Sequence, residues 1–408
     1  LHPQFHLALT ALLLLGLAAN AQVNSPTAEE RQQKDTSSFM SRTSLGGYGN
    51  AFYQRDFNLD YSTVNLERFV LFAGHKFNKS ISFFSELEVE DAKIEGGEPG
   101  GEVALEQCYL KFNFDPAHYL VAGLFLPRIG ILNENHLPNT FNGNERSQVE
   151  TLVIPSTWRE LGVAYYGSFA SLPIEYSLAV INGLNSAGFE HGSGIRNGRY
   201  SGQNASANSL AVTGALQYYR SNLRLQISGY YGGSAGLTPV KADSLQLTSG
   251  LFGTPVILGE ASAQYESSGF SARLLGTVVS IPDAEEINRA YASNTPSLEY
   301  GAYAEVGYNL FNSLNRMGEQ ELILFTRFEI LDLNASIPSN GITDQTLRQQ
   351  HLIAGINYLP TRNVAVKFDV RFMHTGEENP ELVINPSPTA PPYEQTNIFL
   401  NLGIGFSF

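Results

Sequence analysis

Residues 397–408 read NIFLNLGIGFSF. Ile398, Leu400, Leu402, Ile404, Phe406 and Phe408 take the even positions. Asn397, Asn401, Gly403, Gly405 and Ser407 take the odd ones, with Phe399 alone out of step. Successive side chains of a strand point to opposite faces. The stretch therefore predicts a strand with one apolar face and one small, polar face. What the apolar face meets, protein core or lipid, decides the fold.

The same alternation recurs upstream. In residues 81–91, Ile81, Phe83, Leu87 and Val89 oppose Glu86, Glu88 and Glu90. In residues 363–374, Val364, Val366, Phe368, Val370 and Phe372 oppose Lys367, Asp369 and Arg371. In residues 298–310, Leu298, Tyr300, Ala302, Ala304, Val306 and Tyr308 oppose Glu299, Tyr303, Glu305 and Asn309. Sixteen such runs are predicted between residues 44 and 408, separated by Gly, Pro, Asn and Ser turn chemistry. The links between them alternate. Tight connections such as NK, DPA, SL, SN and PTR follow every second run, and long ones such as NSAGFEHGSGIRNGRYSGQNASA lie between. Tight turns on one rim and long loops on the other are the plan of outer-membrane barrels. The expected fold is an all-β, transmembrane antiparallel β-barrel of about 16 strands. Apolar faces then meet outer-membrane lipid, and polar faces line a water-filled lumen.

Composition agrees. Of 408 residues, 16% are charged and 11% aromatic, and the formal net charge is −14. That acidity excludes nucleic acid as a partner, which would require clustered Lys and Arg. The apolar run of residues 7–19 is too short to span a bilayer as a helix and leads into a small-x-small site ending at Ala21. Residues 1–21 are expected to be an export signal, residues 22–43 a polar periplasmic linker, and residues 44–408 the barrel. Cys108 has no partner for an intramolecular disulfide and is expected as a small buried residue. Tyr165–Tyr166, Tyr218–Tyr219 and Tyr230–Tyr231 fall near strand ends, where such rings suit a headgroup belt.

The third long link, about 133–156, is where chemistry is expected. It carries Glu134, His136, Glu145, Arg146 and Glu150, with Arg128 and Arg159 just outside its ends. It also carries Leu137, Phe141, Leu152, Val153 and Ile154. Apolar residues on a surface loop need burial, and folding against the inner wall supplies it. With Glu86, Glu88, Lys367, Asp369 and Arg371 on inward faces, these groups are expected to line a constriction.

Residues 122–141, AGLFLPRIGILNENHLPNTF, and 153–167, VIPSTWRELGVAYYG, resemble the central part of the phosphate-selective porin family. The matching features are Gly123, Pro127, Gly130, Pro155, Trp158, Arg159, Glu160, Gly162 and Val163, and the strand plan extends the likeness loosely over 44–408. The resemblance implies a sixteen-stranded channel, commonly a homotrimer, with a basic ladder for anions. The terminal Phe408 resembles the signal by which the barrel-assembly machinery recognises its clients. The ladder does not transfer: the third link has one Arg and no Lys, and Glu86, Glu88, Glu90, Glu260, Glu266, Glu299, Glu305 and Glu329 face Lys111, Arg224, Arg327, Lys367 and Arg371. The expectation is a passive, unselective or weakly cation-preferring pore. No enzyme is expected, because the histidines are scattered and GxSxG and HExxH are absent. No cofactor or metal motif is present. The alternative is an adhesion or ligand-binding barrel acting through its outer loops.

Overall fold

The computed structural model describes residues 39–90, 102–313, 319–382 and 393–408. The expected export signal at 1–21, and the linker up to residue 38, lie outside these. Sixteen strands follow in order: β1 (Thr43–Asp56), β2 (Tyr61–Lys76), β3 (Ile81–Glu90), β4 (Glu102–Asn113), β5 (His118–Phe125), β6 (Glu160–Ser168), β7 (Ile174–Asn182), β8 (Leu210–Arg220), β9 (Leu223–Gly233), β10 (Pro255–Ser267), β11 (Phe270–Ser280), β12 (Leu298–Asn309), β13 (Glu321–Ser336), β14 (Arg348–Thr361), β15 (Val364–Thr375) and β16 (Thr396–Ser407). Each pairs antiparallel with its chain neighbours, and β1 pairs with β16 to close the barrel. Closure satisfies every strand edge, the condition for spanning lipid with β-structure. The tight turns fall on one rim, and the other rim carries the long loops together with one short link, 57–60, between β1 and β2. Ser268 and Gly269, which join β10 to β11, both have positive φ, the conformation a two-residue hairpin link requires.

Side chains segregate as the alternation demands. On β16, Leu402, Ile404 and Phe408 are about half exposed or more, while Asn397, Asn401 and Ser407 are buried. Leu178, Ile227, Leu274 and Phe368 are likewise exposed on the outer wall. A closed barrel wearing its apolar side chains outward belongs in a bilayer. Phe399, the residue out of step, points inward, and the Arg371 guanidinium stacks on its ring at 4.0 Å. The tyrosine pairs split across the wall. Tyr165 joins an outer cluster with His118 and Tyr176, whereas Tyr166 faces in under Arg128. Cys108 lies partly exposed on the outer face rather than in a core, because it alternates with inward Gln107 and Tyr109.

Two expectations need correction. The third long link, expected at about 133–156, is longer at both ends: the fifth strand stops at Phe125 and the sixth begins at Glu160. Pro127 has no N–H for the ladder and Gly130 turns at φ 75°. The third long loop is therefore 126–159, and Arg128 and Arg159 lie within it. Nor is the inner face polar throughout. Toward the long-loop rim, inward Ile181, Ala211, Val256, Leu258, Leu275 and Val279 are buried against Leu184, Phe189, Ile195 and Ile287 of the loops. Helices α1 (Pro239–Leu245) and α2 (Ala284–Tyr291) sit in those loops and add Ala242 and Ala284 to the same cluster. The loops fold inward and need an apolar bed.

Candidate functional site

The third loop leaves β5 and re-enters β6 through one pinned base. Asn133 Nδ2 donates to the carbonyls of Pro127 (2.8 Å) and Trp158 (3.1 Å), and the Trp158 N–H donates to Asn133 Oδ1 at 2.6 Å. A single amide thus ties both limbs. Trp158 is fully buried on Tyr230 of β9. Two arginines of the following long loop hold the returning limb: Arg196 donates to the carbonyls of Thr151 and Ser156, and Arg199 to those of Pro155 and Thr157.

From this base the loop crosses the lumen. Its middle is bonded to β12–β16. Asn142 Nδ2 donates to Glu305 at 2.9 Å. The Asn144 N–H and side-chain amide both donate to Asp369 Oδ2, at 2.8 and 2.7 Å. Lys367 Nζ donates to the carbonyls of Phe141 and Gly143 at 2.8 and 2.7 Å, and lies 4.0 Å from the Phe141 ring centre. Arg371 pairs with Glu145 at 2.9 Å, and Glu329 accepts from the Ser147 hydroxyl and the Val149 N–H. Behind them Arg327 bridges Glu305 (3.2 Å) and Glu329 (2.7 Å). The wall is glycine where the loop comes closest. A Cβ at Gly405 would meet Pro138 Cβ at 2.6 Å, and one at Gly403 would collide with Asn144 Oδ1. The small face of the opening stretch is small because a loop lies on it.

The near limb reaches the opposite wall. His136 Nε2 lies 2.9 Å from the Tyr48 hydroxyl of β1 and 3.3 Å from Glu106 of β4. Beside this contact Gln107 donates to Glu86 at 2.6 Å and Arg68 approaches Glu88 at 3.5 Å. Arg146 is partly buried nearby, and its buried Nη2 has no partner among the described residues. Burial, then neighbouring Arg68, lower its pKa from the ordinary arginine value. Toward β6 and β7, Arg128 pairs with Glu134 at 2.8 Å and approaches Glu175 at 3.7 Å.

The expected site residues therefore form separate groups. Lys367, Asp369 and Arg371 meet the middle of the loop, Glu86 and Glu88 flank the His136 contact, and Arg128 and Glu134 form a third pair. Arg159 stands at the base of the loop.

No family model matches the chain. Over 339 residues it is 32% identical to an uncharacterized protein of Aquifex aeolicus (strain VF5), covering 80% of this chain and 74% of that one. The chain belongs to that protein's family. Among solved structures it is similar to the outer membrane channel DcaP of Acinetobacter baumannii, with a TM-score of 0.53 at 11% identity over 90% of this chain and 97% of that one. An anion-selective porin from Comamonas acidovorans aligns at 0.52 and 12% over 90% and 99%, and OmpF of Salmonella typhi at 0.52 and 12% over 90% and 97%. At such identities the likeness is of fold. The fold is the porin-type barrel of the outer membrane, and the apolar outer wall fits it to that membrane.

Glu106 and Asn144 were not singled out by sequence, and Arg327 and Tyr303 were placed only on inward faces. For Arg327 and Tyr303 the further signal was register across β12 and β13: Tyr303 lies opposite Glu329, and Glu305 opposite Arg327. Glu150 was singled out, and its setting is unusual. It is fully buried in a single π-helical turn (Val149–Val153). It accepts from the N–H groups of Ile131 (2.7 Å) and Leu132 (2.6 Å) and from the Tyr303 hydroxyl (2.7 Å). Burial pushes its carboxyl up from 4.5 to about 7. A carboxyl whose pKa rises on docking takes up a proton, so this contribution to docking is full below 4.5 and declines as pH rises to about 7. Protease protection of the loop is expected to fall over that window. Glu150→Gln should flatten the profile; an unchanged profile would remove Glu150 from the account.

Proposed function

We propose that the chain is a passive outer-membrane pore for small hydrophilic solutes and ions, constricted by the third loop. The observation that carries this reading is the loop's double attachment, to Asp369, Lys367 and Glu329 on one wall and to Tyr48 and Glu106 on the other. Partly exposed groups stand on the inner wall to either side of that crossing. Glu67 and Glu90 lie toward the long-loop rim, and Lys111 and Tyr119 toward the tight-turn rim. A sixteen-stranded barrel has the width to pass water beside such a loop.

Acidic Glu86, Glu88 and Glu106 dominate the wall at His136, with Arg68 and Arg146 as counter-charges. That balance supports weak cation preference or none, rather than the anion ladder implied by the phosphate-selective resemblance. In planar bilayers under a salt gradient the reversal potential is expected near zero or on the cation side. A clear anion potential would sink the selectivity claim, and absence of any conductance would sink the pore. The partners proposed with this reading are outer-membrane lipid, two further copies in a homotrimer, and the assembly machinery reading β16 at Phe408. Mass in mild detergent reports the copies; membrane yield after deletion of Phe408 reports the signal.

A further inference from the structure

An arc of aromatic rings lines the inner wall where porin interiors are usually polar. Phe72, Phe84, Tyr109, Tyr119 and Tyr166 come from β2, β3, β4, β5 and β6, one ring per strand, all on the inward side. Phe72 and Phe84 stack at 6.1 Å between centres, Phe84 and Tyr109 lie 5.4 Å apart, and Tyr119 and Tyr166 stack at 4.8 Å and 12°. Tyr166 is buried at the edge of the apolar loop bed, and Tyr109 and Tyr119 pack against that bed, while Phe84, Tyr109 and Tyr119 remain partly exposed. Cations accompany the rings. Lys111 Nζ sits 3.7 Å from the centre of Tyr119 and, among the described residues, makes no hydrogen bond or ion pair. Farther round, Arg224 lies over Tyr219 at 5.9 Å, and its Nε has no partner among the described residues. Acceptors stand between them: Glu175, and Glu134 paired to Arg128.

We propose that this arc is a binding track for carbohydrate, taking the pyranose rings of a linear oligosaccharide. The proposal rests on the pore reading. A pyranose presents a flat C–H face and an equatorial rim of hydroxyls that both donate and accept. The partly exposed neighbouring rings of Phe84 and Tyr109 satisfy the first, and the Lys111 ammonium with nearby carboxylates satisfies the second. A bare anion would use the cations and leave the rings idle, and Glu134 and Glu175 oppose it. An aromatic cation would be repelled by the charges of Lys111, Arg128 and Arg224 on the same wall.

The test is current block by maltohexaose in planar bilayers, against a poly(ethylene glycol) of equal hydrodynamic radius. Maltohexaose is expected to block at concentrations where the polymer does not. Tyr119→Ala and Phe84→Ala should each raise the half-blocking concentration about tenfold. Lys111→Met, which removes no ring, should weaken block as well and serves where a ring deletion fails to fold. Equal block by the two probes, or block unchanged in the variants, would overturn the track. Calorimetric titration of the detergent-folded protein separates the two readings: heat of binding without conductance sinks the pore and keeps the track, and conductance without block or heat sinks the track alone.

Discussion

Gly403→Val will expel the third loop from its bed and raise single-channel conductance several-fold. Gly403 lies inward on β16, opposite Lys367 and Phe52. A Cβ there would collide with Asn144 Oδ1 and stand 2.8 Å from Phe52 Cβ. Asn144 cannot retreat without losing both of its bonds to Asp369. Forcing side-chain volume into a packed site costs about 1–3 kcal/mol, and two buried hydrogen bonds go with it. The wall itself is a closed ladder and will hold, so the loop gives way. Protease cleavage near residues 138–146 should rise in parallel, a readout independent of conductance. If cleavage and conductance both match the parent, the loop is not seated on β16. Gly405→Leu should act alike through Pro138, whereas Ala304→Val on the outer wall should do neither.

Arg327→Met will cause the largest loss of stability. Arg327 is 3% exposed and lies between Glu305, also 3% exposed, and Glu329, which is fully buried. It also donates to the carbonyls of Asn142 and Glu145, so one guanidinium holds two wall carboxylates and two points of the loop. Removing one member of a buried ion network leaves uncompensated charge and costs about 3–5 kcal/mol. The expected readout is a lowered midpoint for heat-induced loss of the folded electrophoretic species. The triple variant R327M/E305Q/E329Q, which removes the stranded charges, should recover most of the loss. A single variant as stable as the parent would mean that water reaches the network and screens it.

Strand number, the facing of each strand and the segregation of loop lengths were all legible, because lipid and water impose a period of two on every strand. Ile404 and Lys367 declared their sides without help. Loop residues declared only a need for burial: Leu152, Val153 and Ile154 are apolar, but nothing in their order names the wall they meet. The inner bed had left a trace that was not used. In PVILGEASA, Val256, Ile257 and Leu258 are apolar on both faces, and likewise in RLLGTVVS both Leu274 and Leu275 are apolar, the sign of a strand covered on both sides. Glu106 was hidden for a different reason. A register shift between Glu86 and Leu87 in the β3–β4 pairing turns it out of simple alternation and toward His136.

The third loop holds Tyr48 of the first strand through His136. It also holds Ser407, Gly405 and Asp369, at the far end of the chain, through Asn139, Pro138 and Asn144. Those two groups are neighbours only once β1 has met β16. Before the cylinder shuts, half of the loop's partners are absent. Its docking is thus a bolt thrown from inside across the seam. It can slide home only after the two ends of the chain have found each other, and once home it opposes their parting.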